Sequence, residues 1–202
     1  MDFLISIIIS APAILIALTV HEFSHAWVAY KLGDYTAKAE GRLSLNPLVH
    51  LDPIGTIVLF LFRFGWAKPV PIAEYNFANP PLGTTLTSLA GPLSNFILAI
   101  VGTMVFHLID TDHLLINSLV IYFVFINIAL MCFNLLPIPP LDGHKIIRGL
   151  LPPQIRFYWE QMEIYSIYIF IPVVIFLIYT NVLFTVIDAI VVNLIPTYQF
   201  FL

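Results

Sequence analysis

Charge is the scarcest property of this 202-residue chain, because only 10% of its residues are Asp, Glu, Lys or Arg. A soluble domain carries about 25% charged residues. Hydrophobic residues make up 60% of the sequence, and the mean hydropathy is +0.96. These values exclude an ordinary soluble domain. They predict an all-α polytopic membrane protein that forms one membrane-embedded domain over residues 1–202.

Cysteine is also scarce, and clusters of basic residues are not seen. The single Cys132 lies in an apolar run, which excludes a disulfide framework and favours a small buried side chain. The net charge is −4 and the eight Lys and Arg residues are scattered, so we expect no nucleic-acid partner. The first residues show no positive region and no small-residue cleavage site, so we expect no removable signal peptide.

Long apolar runs are what the sequence has in excess. A membrane-crossing helix needs roughly 20 mostly apolar residues. Four runs meet this length and predict four transmembrane helices, at about 3–31, 83–109, 114–135 and 164–192. A shorter run at 54–66 is predicted to be a re-entrant segment that does not cross the bilayer.

The distribution of charge predicts the orientation of these helices. With four crossings, all eight Lys and Arg residues fall on one side of the membrane. The charged residues on the other side are all acidic. By the positive-inside rule the basic side faces the cytoplasm. We therefore expect both termini outside, in a protein of the cell membrane.

Two segments flank the short apolar run and predict a small β-element. Residues 36–46 alternate between small or apolar and polar side chains, a period-2 pattern typical of a strand. Residues 69–77 show a weaker version that Pro71 interrupts. The strands either close a loop or offer an edge to an extended peptide.

One polar motif lies inside the first apolar run, where residues 21–25 read His-Glu-Phe-Ser-His. His21 and His25 are four residues apart and project from one helix face, at a separation that suits one Zn²⁺. Glu22 beside them is placed to take a proton from the water that the metal activates. Ionisable groups inside an apolar helix are costly and usually functional. The alternative is a set of polar residues that pack against a neighbouring helix.

Asp142 is the predicted third ligand. After Asn134 the chain reads Leu-Leu-Pro-Ile-Pro-Pro-Leu, and the prolines stop the helix and force extended backbone. Irregular backbone at membrane depth is tolerated where it lines a polar cavity. The alternative role of Asp142 is to cap a helix at 143–151. Glu160 and Glu163 are rival third ligands, which we interpret as solvated.

Other polar residues have less specific roles. Asn95 places an amide in the membrane, and a contact between helices is at least as well supported as catalysis. His50 lies next to a turn and near the expected site. His144 is interpreted as interfacial, and His107 and His113 as lying toward the outer face.

These motifs resemble the site-2 protease family of intramembrane zinc metalloproteases, in the compact bacterial and archaeal form that lacks PDZ and CBS domains. The resemblance rests on residues 21–25, 91–95 and 134–143, and on the run from Gly41 to Gly55. It implies a catalytic core at about 3–151, followed by an interfacial helix and a last span at 152–202.

The same resemblance implies the site and the substrate. Zinc would be bound by His21, His25 and Asp142, with Glu22 as general base. Asn134, and also Asn95, would hold the substrate or its oxyanion. The substrate would be a single-span membrane protein, such as an anti-sigma factor or another membrane-tethered regulator.

Two alternatives remain at this point. One is a membrane peptidase with the same histidine motif and a glutamate as third ligand. The other is a zinc transporter or metal sensor that hydrolyses nothing. A transport path would require metal ligands at several depths in the membrane, whereas this sequence places its candidate ligands at one depth.

Overall fold

The computed structural model describes residues 3–55, 58, 67–109 and 113–196, and these residues fold mainly into α-helices. Two 3-10 turns lie in the loops, at Pro47–Val49 and Glu74–Asn76. The helices of the described chain are α1 (Phe3–Lys31), α2 (Thr36–Ala39), α3 (Pro80–Ile109), α4 (Leu114–Asn134), α5 (Asp142–Leu150), α6 (Pro153–Ile164), α7 (Ser166–Thr180) and α8 (Val182–Leu194).

The central packing unit consists of α1, α3 and α4, with α5 against α3 and α8 against α4. Branched aliphatic side chains from α4 and α8 meet the small Ala99 of α3 in the main core. The buried members of this core are Ala99, Ile121, Val124, Ile128, Ile187, Val191 and Ile195. This unit packs α1 against α3 and α4, which carry the buried Asn95 and Asn127.

Helix α5 is held close to α3 and to the end of α4 by two glycines. A Cβ at Gly149 would lie 2.0 Å from the Thr85 Oγ1 atom, and one at Gly143 would lie 2.3 Å from the Leu135 carbonyl oxygen. No side chain larger than hydrogen fits at either position. The close approach brings the first residue of α5, Asp142, into the protein interior.

The predicted strand at 36–46 is wrong, because Thr36–Ala39 is a short helix followed by turns. The carboxylate of Asp34 accepts a 3.1 Å hydrogen bond from the backbone N–H of Thr36 and starts this turn. Alanine and lysine in the segment also favour helix over strand. The weaker candidate at 69–77 contains a 3-10 turn instead. In the described chain, β-pairing is limited to one bridge between Leu51 and Ala67.

The number of membrane-crossing helices agrees with the sequence only in part. Among the described residues, α3 and α4 are long and apolar enough to cross, and α6 with α7 adds a third span if this pair, bent by 79°, counts as one. The predicted span at 164–192 is divided into two helices, because Asn181 adopts a left-handed conformation (φ 54°) between α7 and α8. Most of the predicted re-entrant segment at 54–66 lies outside the described residues.

Candidate metal centre

His21, Glu22 and His25 lie on α1, and Asp142 approaches them from the start of α5. The Oδ2 atom of Asp142 lies 3.2 Å from the Nε2 atoms of both His21 and His25. The two Nε2 atoms are 3.0 Å apart. Both histidines and the aspartate are buried. Three atoms that can bind a cation therefore form a small, nearly regular triangle inside the protein.

The hydrogen bonds behind the two imidazoles fix where their protons lie. The Nδ1 atom of His21 donates to Asn95 Oδ1 at 2.6 Å, and the Nδ1 atom of His25 donates to the Thr87 carbonyl oxygen at 2.7 Å. The Asn95 amide nitrogen donates to the Ala17 carbonyl oxygen and to Asn127 Oδ1, so its oxygen faces His21. With a proton on each Nδ1, both Nε2 atoms present lone pairs.

These lone pairs converge on a buried carboxylate oxygen, and this arrangement fits a cation. The Oδ2 atom of Asp142 is buried and has no hydrogen-bond partner in the described structure. Three electron-rich atoms this close repel one another unless a positive charge lies between them. Tetrahedral zinc, with bonds of about 2.0–2.2 Å to nitrogen and oxygen, places neighbouring ligand atoms about 3.3 Å apart. The donor set and its spacing therefore fit one zinc ion.

Gly91 lets the backbone of α3 approach the two imidazoles closely. A Cβ at this position would lie 2.5 Å from the Nε2 atom of His25 and 2.6 Å from the Nε2 atom of His21. Any side chain here would displace the imidazoles. Glycine at this position therefore allows α3 to pack directly against the ligand histidines.

Glu22 lies next to the triangle and is held by the loop that precedes α3. Its Oε2 atom accepts a hydrogen bond from the Val70 backbone N–H at 3.0 Å. This bond fixes the carboxylate beside His21 and His25 without placing it among the ligand atoms. The predicted general base therefore has a defined position.

Asp34 ties the same loop to the end of α1. Its buried carboxylate accepts hydrogen bonds from the Ala73 backbone N–H at 2.8 Å, from the Asn76 amide at 2.8 Å and from the Thr36 hydroxyl at 2.6 Å. Burial raises the pKa of this carboxyl, but the hydrogen bonds from Thr36, Asn76 and Ala73 outweigh it, so the pKa lies below its ordinary value. The loop that carries Val70 is therefore anchored by a charged group.

The two predicted asparagines have different surroundings. Both amide hydrogens of Asn95 are used by Ala17 and Asn127, so Asn95 orients His21 and has no N–H left for a substrate oxygen. The Asn134 amide donates to the carbonyl oxygen of Leu130 on its own helix, at 3.0 Å. Within the described structure it makes no contact with the triangle.

The rival ligands and the other histidines lie elsewhere. Glu163 lies 3.4 Å from the Arg148 guanidinium and 3.5 Å from His144. His144 stacks on Trp159, with ring centroids 5.2 Å apart. The Nε2 atom of His50 lies 2.7 Å from the Ser44 carbonyl oxygen. Among the described residues, the group that can hold a metal is His21, His25 and Asp142.

Three residues that support this site were missed by the sequence interpretation. Thr87 acts through its backbone carbonyl, which no side-chain pattern reveals. Asp34 acts through a loop that lies 39 positions further along the chain. Asn127 is an amide in the middle of the apolar helix α4, and this signal was available, because such amides usually contact another helix.

Two histidines in an H-E-x-x-H helix, a carboxylate from another segment and a glutamate beside them define a metal-dependent hydrolase site. The comparisons agree with this class. Residues 109–179 match the model of "Peptidase family M50". No solved structure matches the chain.

Relatives from bacteria and archaea carry similar sequences. "Putative zinc metalloprotease YwhC" of Bacillus subtilis is 43% identical over 78% of this chain and 76% of its own length. "Putative zinc metalloprotease Rip2" of Mycobacterium tuberculosis is 32% identical, and the match spans 69% of this chain but only 56% of the relative. "Putative zinc metalloprotease MJ0611" of Methanocaldococcus jannaschii is 33% identical over 70% of each chain.

The chain therefore belongs to peptidase family M50. This confirms the predicted family and the predicted enzyme class, a metalloprotease, and its apolar helices make it a membrane protein. The predicted zinc cofactor agrees with the names of the relatives and with the His-His-Asp triangle.

Proposed function

We propose that this protein is a zinc-dependent endopeptidase that hydrolyses peptide bonds in or near the transmembrane segments of single-span membrane proteins. The observation that carries the proposal is the buried triangle of His21, His25 and Asp142 beside Glu22, on helices whose other residues are mostly apolar. A site built into such helices suits a substrate that is itself in the membrane.

In this proposal His21, His25 and Asp142 hold the zinc ion, and Asn95 and Thr87 orient the two imidazoles. A zinc ion held there supplies Lewis-acid polarisation of the scissile carbonyl and lowers the pKa of a water molecule toward about 7. Gly91 lets α3 pack against both imidazoles without displacing them.

Glu22 is the proposed general base. Its Oε2 atom is held by the Val70 N–H, so the carboxylate keeps its orientation while it takes a proton from the attacking water. The water oxygen bonds to the carbonyl carbon, the C–N bond breaks, and Glu22 passes the proton to the leaving amine. One carboxylate thus serves both halves of the hydrolysis.

We further propose that the chain crosses the cell membrane four times, with both termini outside and the site toward the cytoplasm. His25 precedes Lys31, the last residue of α1, by six residues, or about 9 Å of helix. On this proposed topology the triangle would lie inside the bilayer, toward the basic side. The substrate would be a membrane-tethered regulator, such as an anti-sigma factor, whose helix unwinds locally before cleavage.

The replacement Glu22→Gln tests the proposal with the full chain and a model single-span substrate. We expect zinc content to stay unchanged and cleavage to disappear, because the amide cannot accept the proton. Glu40→Gln, at an exposed glutamate, is the matched control and should cleave normally. Cleavage by the Glu22→Gln protein would refute the mechanism, and zinc flux into liposomes without any proteolysis would favour a transporter.

A further inference from the structure

A polar cavity of about 160 Å³ lies beside the candidate metal centre. It is bounded by the loop before α3, by α3 itself and by α5. Its lining residues are Val70, Ile72, Glu74, Thr84, Thr87, Ser88 and Lys145. Two of them touch the catalytic groups, because the Val70 N–H binds Glu22 and the Thr87 carbonyl accepts from His25. The cavity is therefore adjacent to the place where a peptide bond would be cleaved.

Two threonines that line this cavity differ from the other threonines of α3. Thr85 and Thr103, also on α3, donate their hydroxyls to the carbonyl oxygens of Pro81 and Ala99 in the preceding turn. Thr84 and Thr87 do not, and their buried hydroxyl oxygens have no hydrogen-bond partner in the described part of the chain. A buried hydroxyl without a partner is costly, and a bound group that supplies one explains it.

The cavity is also lined by a positively charged side chain, that of Lys145. Lys145 lies one helical turn after Asp142 on α5 and lines the cavity. Glu74, the acidic residue of the lining, is paired with Arg148. The charge of Lys145 is thus not neutralised by the acid that shares the cavity with it. Hydroxyl donors and an ammonium group together favour an oxygen acceptor.

We propose that this cavity is a substrate subsite, which accepts a short side chain with an acceptor oxygen on a residue next to the cleaved peptide bond. The inference rests on the proposed peptidase function. Thr84, Thr87 and Ser88 bind the side chain, and Lys145 binds its oxygen most strongly when that oxygen is a carboxylate. Asn and Asp are short side chains with a carbonyl or carboxylate oxygen, and Leu is the apolar comparison of similar size.

The test uses the full chain with zinc bound and a single-span substrate in which each residue flanking the cleaved bond is set to Asn, Asp or Leu. The wild-type protein should cleave the Asn and Asp forms at one flanking position at least about tenfold faster than the Leu form, as one well-made hydrogen bond allows. The double replacement of Thr84 and Thr87 by Val should bring the three rates together, because Val keeps the shape and the Thr87 carbonyl but removes both hydroxyls.

Two further variants separate this subsite from general damage. Lys145→Glu should slow cleavage of the Asp form much more than cleavage of the Asn form. Thr103→Val, which removes a hydroxyl already bonded within α3, should leave the preference unchanged. Zinc content is measured for every variant, and the single Thr84→Val variant replaces the double one if the latter does not fold.

The outcomes are distinguishable from failure of the proposed function. Absence of cleavage of every substrate by the wild-type protein would refute the peptidase itself. Cleavage with no preference among Asn, Asp and Leu would overturn the subsite alone. An equal slowing of all three substrates in the valine variants would also overturn it, because that result indicates a cavity that holds only water.

Discussion

The Nδ1 atom of His21 donates a 2.6 Å hydrogen bond to Oδ1 of Asn95, and this bond joins α1 to α3 in the buried interior. Asn95 in turn donates to Asn127 on α4 at 2.9 Å. Three helices are thus linked through amides to one ring of the candidate metal centre. A histidine held in this way has its tautomer and its ring plane fixed.

Loss of the Asn95 acceptor should weaken metal binding without removing a ligand. For Asn95→Leu we expect zinc affinity to fall about 10–100-fold, as is typical when a partner behind a ligating histidine is removed. Asn95→Asp keeps an acceptor at this position and should retain more affinity. Competition with a chromogenic chelator measures both.

The matched control for this experiment is Asn193→Leu. Asn193 lies on α8 and donates to a carbonyl of its own helix, at 2.7 Å from Ala189. Its replacement should leave zinc affinity unchanged. Equal affinity of the Asn95→Leu protein and the wild type would show that the bond to His21 does not position the ring.

A methyl group at Gly91 should disturb the two imidazoles. Gly91→Ala places a Cβ about 2.5 Å from the His25 Nε2 atom, so the ring must move. Alanine is the better helix former by about 1 kcal/mol, so the loss cannot come from α3 itself. We expect at least a tenfold loss of zinc affinity, as a distorted ligand geometry implies, measured by the same competition assay.

Gly102→Ala is the comparison for this variant. Its Cβ would meet Val124 on α4 at 2.8 Å, a clash of similar severity that lies in the apolar core. It should lower thermal stability and leave zinc affinity intact. If the two alanine variants lose zinc equally, general misfolding is the cause and the steric role of Gly91 is refuted.

Removal of the metal should destabilise the fold. Without a cation, two imidazole lone pairs and the Asp142 carboxylate face one another at 3.0–3.2 Å. Zinc at 100 times its dissociation constant adds about 2.7 kcal/mol to the free energy of unfolding. Chelation should therefore lower the thermal midpoint in detergent, and added zinc should restore it. An Asp142→Ala protein that still gained the same stability from zinc would exclude this carboxylate as a ligand.

Acidification should weaken the hydrogen bonds by which the Asp34 carboxylate anchors the loop before α3. The pKa of this carboxyl is lowered in the folded chain, so the unfolded chain binds the proton more readily. The stabilisation is present above the unfolded pKa of about 3.9 and is lost as the pH falls through the folded pKa. At neutral pH, Asp34→Asn should cost about 1.5–3 kcal/mol, the range for hydrogen bonds to a charged group.

Thermal unfolding between pH 7 and pH 3 measures this effect. The Asp34→Asn protein should lose less stability over this range than the wild type, because it has no carboxylate to protonate at this position. The exposed Glu40, replaced by Gln, is the control and should follow the wild-type curve. A pH dependence of Asp34→Asn identical to that of the wild type would contradict the assignment.

The part of the site that follows from local spacing was predictable from the sequence. His21 and His25 share a helix face because they are four residues apart, and the glutamate beside them follows from the same turn. The role of Asp142 could also be predicted, because the prolines after Asn134 stop α4 just before it. The contact between Asn95 and His21 could not be predicted, because 74 positions separate the two residues and no local rule joins an amide to a ring.

The errors in the fold have equally local causes. Alternation of small residues such as Ala37 and Ala39 resembles a strand pattern, but these side chains bury little surface and the Asp34 carboxylate favours a turn instead. In the last apolar run, at 164–192, hydropathy alone does not indicate where a helix ends. Asn181 was the available signal, since asparagine adopts the left-handed conformation more readily than most residues.

The order of the ligands along the chain has a consequence for biosynthesis. His25 and Asp142 are separated by more than half of the sequence. A nascent polypeptide that has been synthesised only as far as α4 holds both imidazoles but lacks Asp142. A complete set of three ligands therefore exists only after α5 has been synthesised and has docked against α3.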